Sequence, residues 1–112
     1  QTYRQVTKMS AIHVLAIITT RPGKRRDVLD LFETIVPTVL AEDGCIAYEA
    51  TIDARDAGPA QAELGPDTFV VVEQWASLDA LEAHANSDHM KAHGARTKNM
   101  LAERKIHILS PI

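Results

Sequence analysis

The stretch 69-FVVVEQWASLDALEAHANSDHMK-91 reads as one strand feeding two helix starts. Phe69-Val70-Val71-Val72 is a run of aromatic and β-branched residues that suits a buried strand, and Glu73-Gln74-Trp75 ends it. Ser77 then offers a side-chain oxygen to the open N–H groups of a helix start. Asp79 falls in the first turn, where the helix dipole favours a negative charge. Leu78, Leu81 and Ala85 share one stripe of that helix, with His84 beside them. Ser87-Asp88 restarts the chain as a second helical piece carrying His89 and His93. A Glu, a Trp and three His therefore fall within the 21 residues from Glu73 to His93, and no other stretch gathers as many groups able to do chemistry.

Upstream, Ile12–Thr20 (IHVLAIITT) is a strand, nearly continuous in apolar residues as a strand covered on both faces is. His13 interrupts it and reads as a half-exposed residue at the strand entrance. Pro22-Gly23 turns the chain. A helix is predicted from about Lys24 to Glu42, with Val28, Leu31, Phe32, Ile35, Val39 and Leu40 on one apolar stripe. The basic run Lys24-Arg25-Arg26 reads as a solvated face. Pro37 inside the pattern predicts a kink, and Gly44 a left-handed cap that stops the helix. Cys45–Asp53 is a second strand. Cys45 reads as a small core residue, because no helix start or basic cluster stands beside it to activate a thiol.

Ala54–Asp67 contains two Gly-Pro steps and little to bury. Its 14 residues make a long loop, suited to a lid, a subunit contact or a mobile segment. Beyond Lys91, a helix is predicted to run on from Ala95 to Arg104 through Met100 and Leu101. Lys105–Leu109 (KIHIL) is a short last strand.

The order is β-α-β-β-α-β, the α+β ferredoxin-like arrangement: an antiparallel four-stranded sheet with two helices on one face. Ile12–Ile18 and Phe69–Val72 are apolar on both sides, so the face away from the helices needs a cover. A homodimer with its two sheets packed face to face supplies one.

The chain's 112 residues fit one domain, taken as residues 11–112, with 1–10 an N-terminal arm, native or added. A net charge of −3 leaves no basic footprint for nucleic acid. A single cysteine excludes an internal disulfide. The longest apolar run, Val14–Ile18, is far short of the roughly 18 residues that cross a membrane, and no secretory leader is recognisable. By elimination, the expected setting is cytoplasmic.

Seven short motifs carry a family resemblance: Thr20–Gly23 (TRPG), Ile35–Leu40 (IVPTVL), Asp43–Cys45 (DGC), Glu73–Trp75 (EQW), Leu81–His84 (LEAH), His89–Lys91 (HMK) and Ile108–Pro111 (ILSP). As a set they span nearly all of Ala11–Ile112. The chain resembles the antibiotic biosynthesis monooxygenase family, the dimeric α+β barrel proteins, and within it the bacterial quinol monooxygenases. That resemblance implies the fold read above, a homodimer, and oxidation of a dihydroxy-aromatic by O2 with neither flavin nor metal. Haem-degrading members of the same family use an Asn, a Trp and a haem-ligating His. The matching positions here hold Ala16, His84 and Gly94, or His93 with a one-residue shift, which disfavours haem degradation. Quinone-forming members use a polar residue four before the Trp, where this chain has Val71, so only Trp75 carries over from them.

The residues suit such chemistry. No Gly-rich dinucleotide or phosphate motif is present. An oxygenase without a cofactor needs a substrate that supplies electrons itself, and a hydroquinone does so best once a phenol is deprotonated. The protein then needs a base, a dry pocket and an aromatic wall. His84, His89 and His93 are the candidate bases, since imidazole titrates near neutrality. Glu73 shares a strand face with Trp75 and is placed to orient a histidine or a hydroxyl.

Trp75, Tyr48 and His93 are the candidate substrate contacts. Four of the candidates have a plainer reading: Trp75 as a cap on the core, Tyr48 as a packed ring with its hydroxyl on a partner, Glu73 as a salt-bridged strand residue, His84 as a satisfied core histidine. His89 and His93 stand at i, i+4, a metal-ligand spacing, but no third ligand has a known position, so no metal is expected. Two function classes remain, a quinol-oxidising enzyme and a non-catalytic dimeric module that binds a small aromatic.

Overall fold

A computed structural model describes residues 11–112; the expected N-terminal arm lies outside the described residues. The strands are β1 (Ile12–Thr20), β2 (Cys45–Thr51), β3 (Thr68–Trp75) and β4 (Leu101–Leu109). The helices are α1 (Arg25–Leu40), α2 (Leu78–Ala85) and α3 (Asp88–Thr97), and a 3-10 turn, Lys98–Met100, follows α3. The sheet order is β2-β3-β1-β4 with every pair antiparallel, the ferredoxin-like arrangement expected from the element order.

Register decides which side chains meet. Ile12 stands opposite Trp75, Val14 opposite Glu73 and Ala16 opposite Val71. Side chains alternate along a strand, so these residues share the face under the helices. They are buried there with Val28, Phe32, Ile35 and Val39 of α1. On β2 the same face carries Tyr48, opposite Glu73. On β4 it carries Ile106 and Ile108, opposite Ala16 and Val14. The other face turns Leu15, Ile17 and Val70 half-buried outward, and Val72 exposed.

Three expectations are refined. The helix predicted to reach Arg104 ends at Thr97, and the chain is extended from Leu101. Leu101-Ala102-Glu103-Arg104 has helical composition, but pairing with Thr20, Thr19 and Ile18 supplies a strand's worth of backbone hydrogen bonds and overrides propensity. Helix α1 continues through Pro37 to Leu40. Gly44 does take a left-handed conformation, φ 83°, but three residues beyond the helix cap Ala41. Its backbone also lies against α2: a Cβ there would stand 2.6 Å from the Cβ of Ala80, and the Gly44 carbonyl accepts from the Ala76 N–H at 2.8 Å. Only glycine allows this approach, which docks the end of α1 onto α2.

The long loop is tied at its base. Asp53 accepts backbone N–H bonds from Leu64 and Gly65 at 2.9–3.0 Å, which hold its carboxyl below the usual range. Arg25 donates to the carbonyls of Gly65 and Thr68. Among the described residues no helix is long and apolar enough to cross a membrane.

Candidate functional site

A cavity of about 500 Å³ lies between the sheet and the helices. Its walls are mainly apolar: Val14 and Ala16 from β1, Phe69 and Val71 from β3, Phe32 from α1, Ile106 and Ile108 from β4. Polar side chains reach it too, among them Tyr48, Glu73, His84, His93 and Arg104, with Lys91, Thr97 and Lys98 also in its lining. A concave apolar space with a few convergent polar groups is the usual form of a small-molecule site.

Two capped helix starts set the histidines. Ser77 Oγ accepts the Ala80 N–H at 3.1 Å and opens α2. Ser87 Oγ accepts the Met90 N–H at 3.3 Å and opens α3. Its hydroxyl donates to the carbonyl of His84 at 2.7 Å, locking the end of α2 to the start of α3. His84, in the last turn of α2, is thereby held against β3: its ring centre is 4.7 Å from that of Trp75 and 5.4 Å from that of Tyr48.

Glu42, just past α1, meets both histidines. One oxygen, Oε2, lies 2.9 Å from His84 Nδ1 and 2.7 Å from His89 Nε2. A carboxylate only accepts, so each nitrogen donates. Ser87 Oγ, 3.2 Å from His89 Nε2, has already given its hydrogen to His84 and is a second acceptor there. The network thus assigns hydrogen to His84 Nδ1. In the neutral ring, Nε2 then holds the lone pair, and that ring lines the cavity.

Burial shapes the other groups. Glu73 Oε1 accepts the Trp75 Nε1–H at 2.9 Å. Desolvation still lifts the Glu73 carboxyl above its ordinary value, against the opposing pull of the Trp75 N–H and of the neighbouring His84 and Arg104. Burial, followed by the nearby Glu73 and Glu42 charges, pushes the Tyr48 phenol well up, so it stays a neutral donor. Burial and Glu42 also lift the Cys45 thiol, which leaves it un-ionised and unsuited to nucleophilic work. Burial and the neighbouring Arg96 lower His93, whose buried Nδ1 has no hydrogen-bond partner among the described residues.

A prediction arises at Glu73. A raised carboxyl means that the folded protein binds the proton more tightly than the unfolded chain does. The resulting penalty is absent below the ordinary value of 4.5 and grows as pH rises through the folded value. Glu73→Gln keeps an acceptor for Trp75 and removes the charge. Its melting temperature should exceed wild type at pH 7, and the gain should vanish near pH 4. A lower melting point at pH 7 would mean that the carboxylate is net stabilising.

Of the six candidate residues, Glu73, Tyr48, His84 and His93 meet at the cavity. His89 turns instead to Glu42. Trp75 is fully buried behind the wall rather than lining it. The i, i+4 pair His89 and His93 is split between the two environments. Sequence reading missed Glu42 and Arg104. The only sign of Glu42 was its position beside the Asp43-Gly44 helix stop. Arg104 was hidden by the helical reading of its segment.

The model of the antibiotic biosynthesis monooxygenase family matches residues 11–96. The chain belongs to that family. Within it, the chain is 46% identical over 100 residues to the probable quinol monooxygenase YgiN of Escherichia coli K12, covering 88% of this chain and 95% of that one, and equally to its Shigella flexneri counterpart. Among solved structures it is similar to PA3566 of Pseudomonas aeruginosa, at 26% identity and TM-score 0.76 over 94% of this chain and 97% of that one. It is also similar to a conserved protein of Methanosarcina mazei Go1, at 27% identity and TM-score 0.76 over 96% of both chains. A monooxygenase-type function follows from the family, and the shared fold agrees with it.

Proposed function

We propose that the chain oxidises a quinol, or another dihydroxy-aromatic, with O2, and that His84 is the general base. The observation that carries this reading is the Glu42–His84 pair at the edge of a largely apolar cavity. Glu42 holds the Nδ1 hydrogen, so Nε2 takes a proton from a quinol hydroxyl. The quinolate then passes electrons to O2. One oxygen atom enters the ring and the other leaves as water. The four electrons required come from the ring as hydroquinone becomes hydroxyquinone, so the substrate is its own reductant. Tyr48, kept neutral, and Glu73 are the groups placed to hold the second oxygen. The probable quinol monooxygenase activity in YgiN's name points to the same substrate class.

The decisive experiment is oxygen uptake with an anaerobically reduced naphthoquinol. Wild type should exceed buffer autoxidation by at least ~100-fold. Uptake equal to the blank, with oxidised quinone still bound, would replace the enzyme by a module that binds small aromatics.

The working form is proposed to be a homodimer. Leu15, Ile17, Val70 and Val72 on the helix-free sheet face support it, because a second sheet would cover them. Sedimentation should give twice the chain mass, and Val72→Lys should shift it toward one. A monomeric wild type would refute the pairing.

A further inference from the structure

We propose that Glu42, His84 and His89 form a site for a divalent transition cation of the zinc type, and that filling it silences the cavity base. One donor atom from each residue lies within 4.8 Å of the others. Two imidazole nitrogens and a carboxylate are a donor set that zinc accepts, with a fourth position left to solvent. Tetrahedral bonds of about 2.0–2.2 Å would set the donors roughly 3.3–3.5 Å apart. Glu42 Oε2 now stands 2.9 and 2.7 Å from the two nitrogens, so loading requires the carboxylate to back away by a fraction of an ångström and the two rings to settle around the ion.

Charge and access favour a cation independently of the spacing. The Glu42 side chain is only 15% exposed, and among the described residues it has no Lys or Arg within ion-pairing distance. Two imidazoles alone face its charge. The His89 side chain, 29% exposed, opens the cluster to solvent, whereas His84 closes it on the cavity side. Ser87 Oγ, 3.2 Å from His89 Nε2, adds a neutral oxygen at the rim.

The consequence for the cavity follows from the tautomer and rests on the function proposed above. A cation on His84 Nδ1 displaces the hydrogen that Glu42 holds there. A neutral imidazole must then carry its hydrogen on Nε2. The nitrogen that accepts a quinol proton becomes a donor, and oxidation stops. The same three side chains thus serve as a base with its orienting carboxylate when metal-free, and as a three-donor ligand set when loaded.

The test is a calorimetric titration of Zn²⁺ into chelator-treated protein, in wild type and in Glu42→Gln, His89→Ala and His93→Ala. The expected result is one zinc per chain in wild type and His93→Ala, with affinity weakened at least ~10-fold in Glu42→Gln and His89→Ala. Zinc should raise the melting temperature of wild type and not of His89→Ala. The absence of saturable binding, or an affinity unchanged by Glu42→Gln, overturns the site. Oxygen uptake with naphthoquinol is then compared with and without saturating zinc. Uptake undiminished in loaded protein overturns the silencing. Zinc bound as expected to a protein that oxidises no quinol even when metal-free upholds the site and refutes the proposed function instead.

Discussion

His84→Ala should lower kcat/KM for a naphthoquinol by about 10²–10⁴-fold, equivalent to about 2.7–5.5 kcal/mol of transition-state stabilisation. The loss should fall mainly on kcat, because proton transfer belongs to the reaction rather than to binding. Glu42→Gln should lose a large part of the same factor although it never touches substrate. A Gln oxygen can still accept from one histidine, but its amide hydrogens oppose the Nδ1 hydrogen that sets the His84 tautomer. His89→Ala separates the roles. His89 meets Glu42 without lining the cavity, so most of the rate should survive its removal. Rates measured with each variant at matched folded fraction check the order His84, Glu42, His89. If His89→Ala costs as much as His84→Ala, the base is misassigned.

What could be read from the sequence and what could not divides on physical lines. Both β1 and β3 were legible because β-branched runs have few alternatives to a buried strand. The starts of α2 and α3 were legible because Ser77 and Ser87 cap them through local hydrogen bonds, which sequence spacing encodes. The i, i+2 spacing placed Glu73 and Trp75 on one face, and they are hydrogen-bonded there. The segment after Thr97 was misread because its strand state depends on β1, some 80 residues earlier, and not on its own composition.

The candidate site follows the same division. Its histidines were visible as a cluster, but their directions were not. Glu42 selects which of them is oriented toward the cavity, and it arrives from 42 residues away through the close docking of Gly44 on Ala80. A helical spacing of four puts His89 and His93 on one helix face, but it does not say where each ring turns. His89, in the first turn of α3, reaches back past Ser87, while His93 one turn later enters the cavity.

Trp75→Ala should be the most destabilising single change in this region. The indole is fully buried, and its Nε1–H satisfies a buried Glu73 oxygen. Trp-to-Ala changes in cores typically cost about 3–5 kcal/mol, and an unpartnered buried carboxylate adds to that. Against a total stability of roughly 5–15 kcal/mol, the variant should melt about 15 °C or more below wild type, or fail to fold. Trp75→Phe refills most of the volume and removes only the donor, so it should fold and melt at an intermediate temperature. Its activity is the more informative reading. Trp75 contacts the His84 ring from behind the cavity wall, which makes it a positioning residue for the base proposed there. Folded Trp75→Phe should therefore keep its KM and lose part of its kcat, because the base shifts while the substrate walls formed by Phe32, Tyr48 and Phe69 stay in place. A raised KM with kcat intact would put the indole in the substrate's path and make Trp75 a binding residue after all.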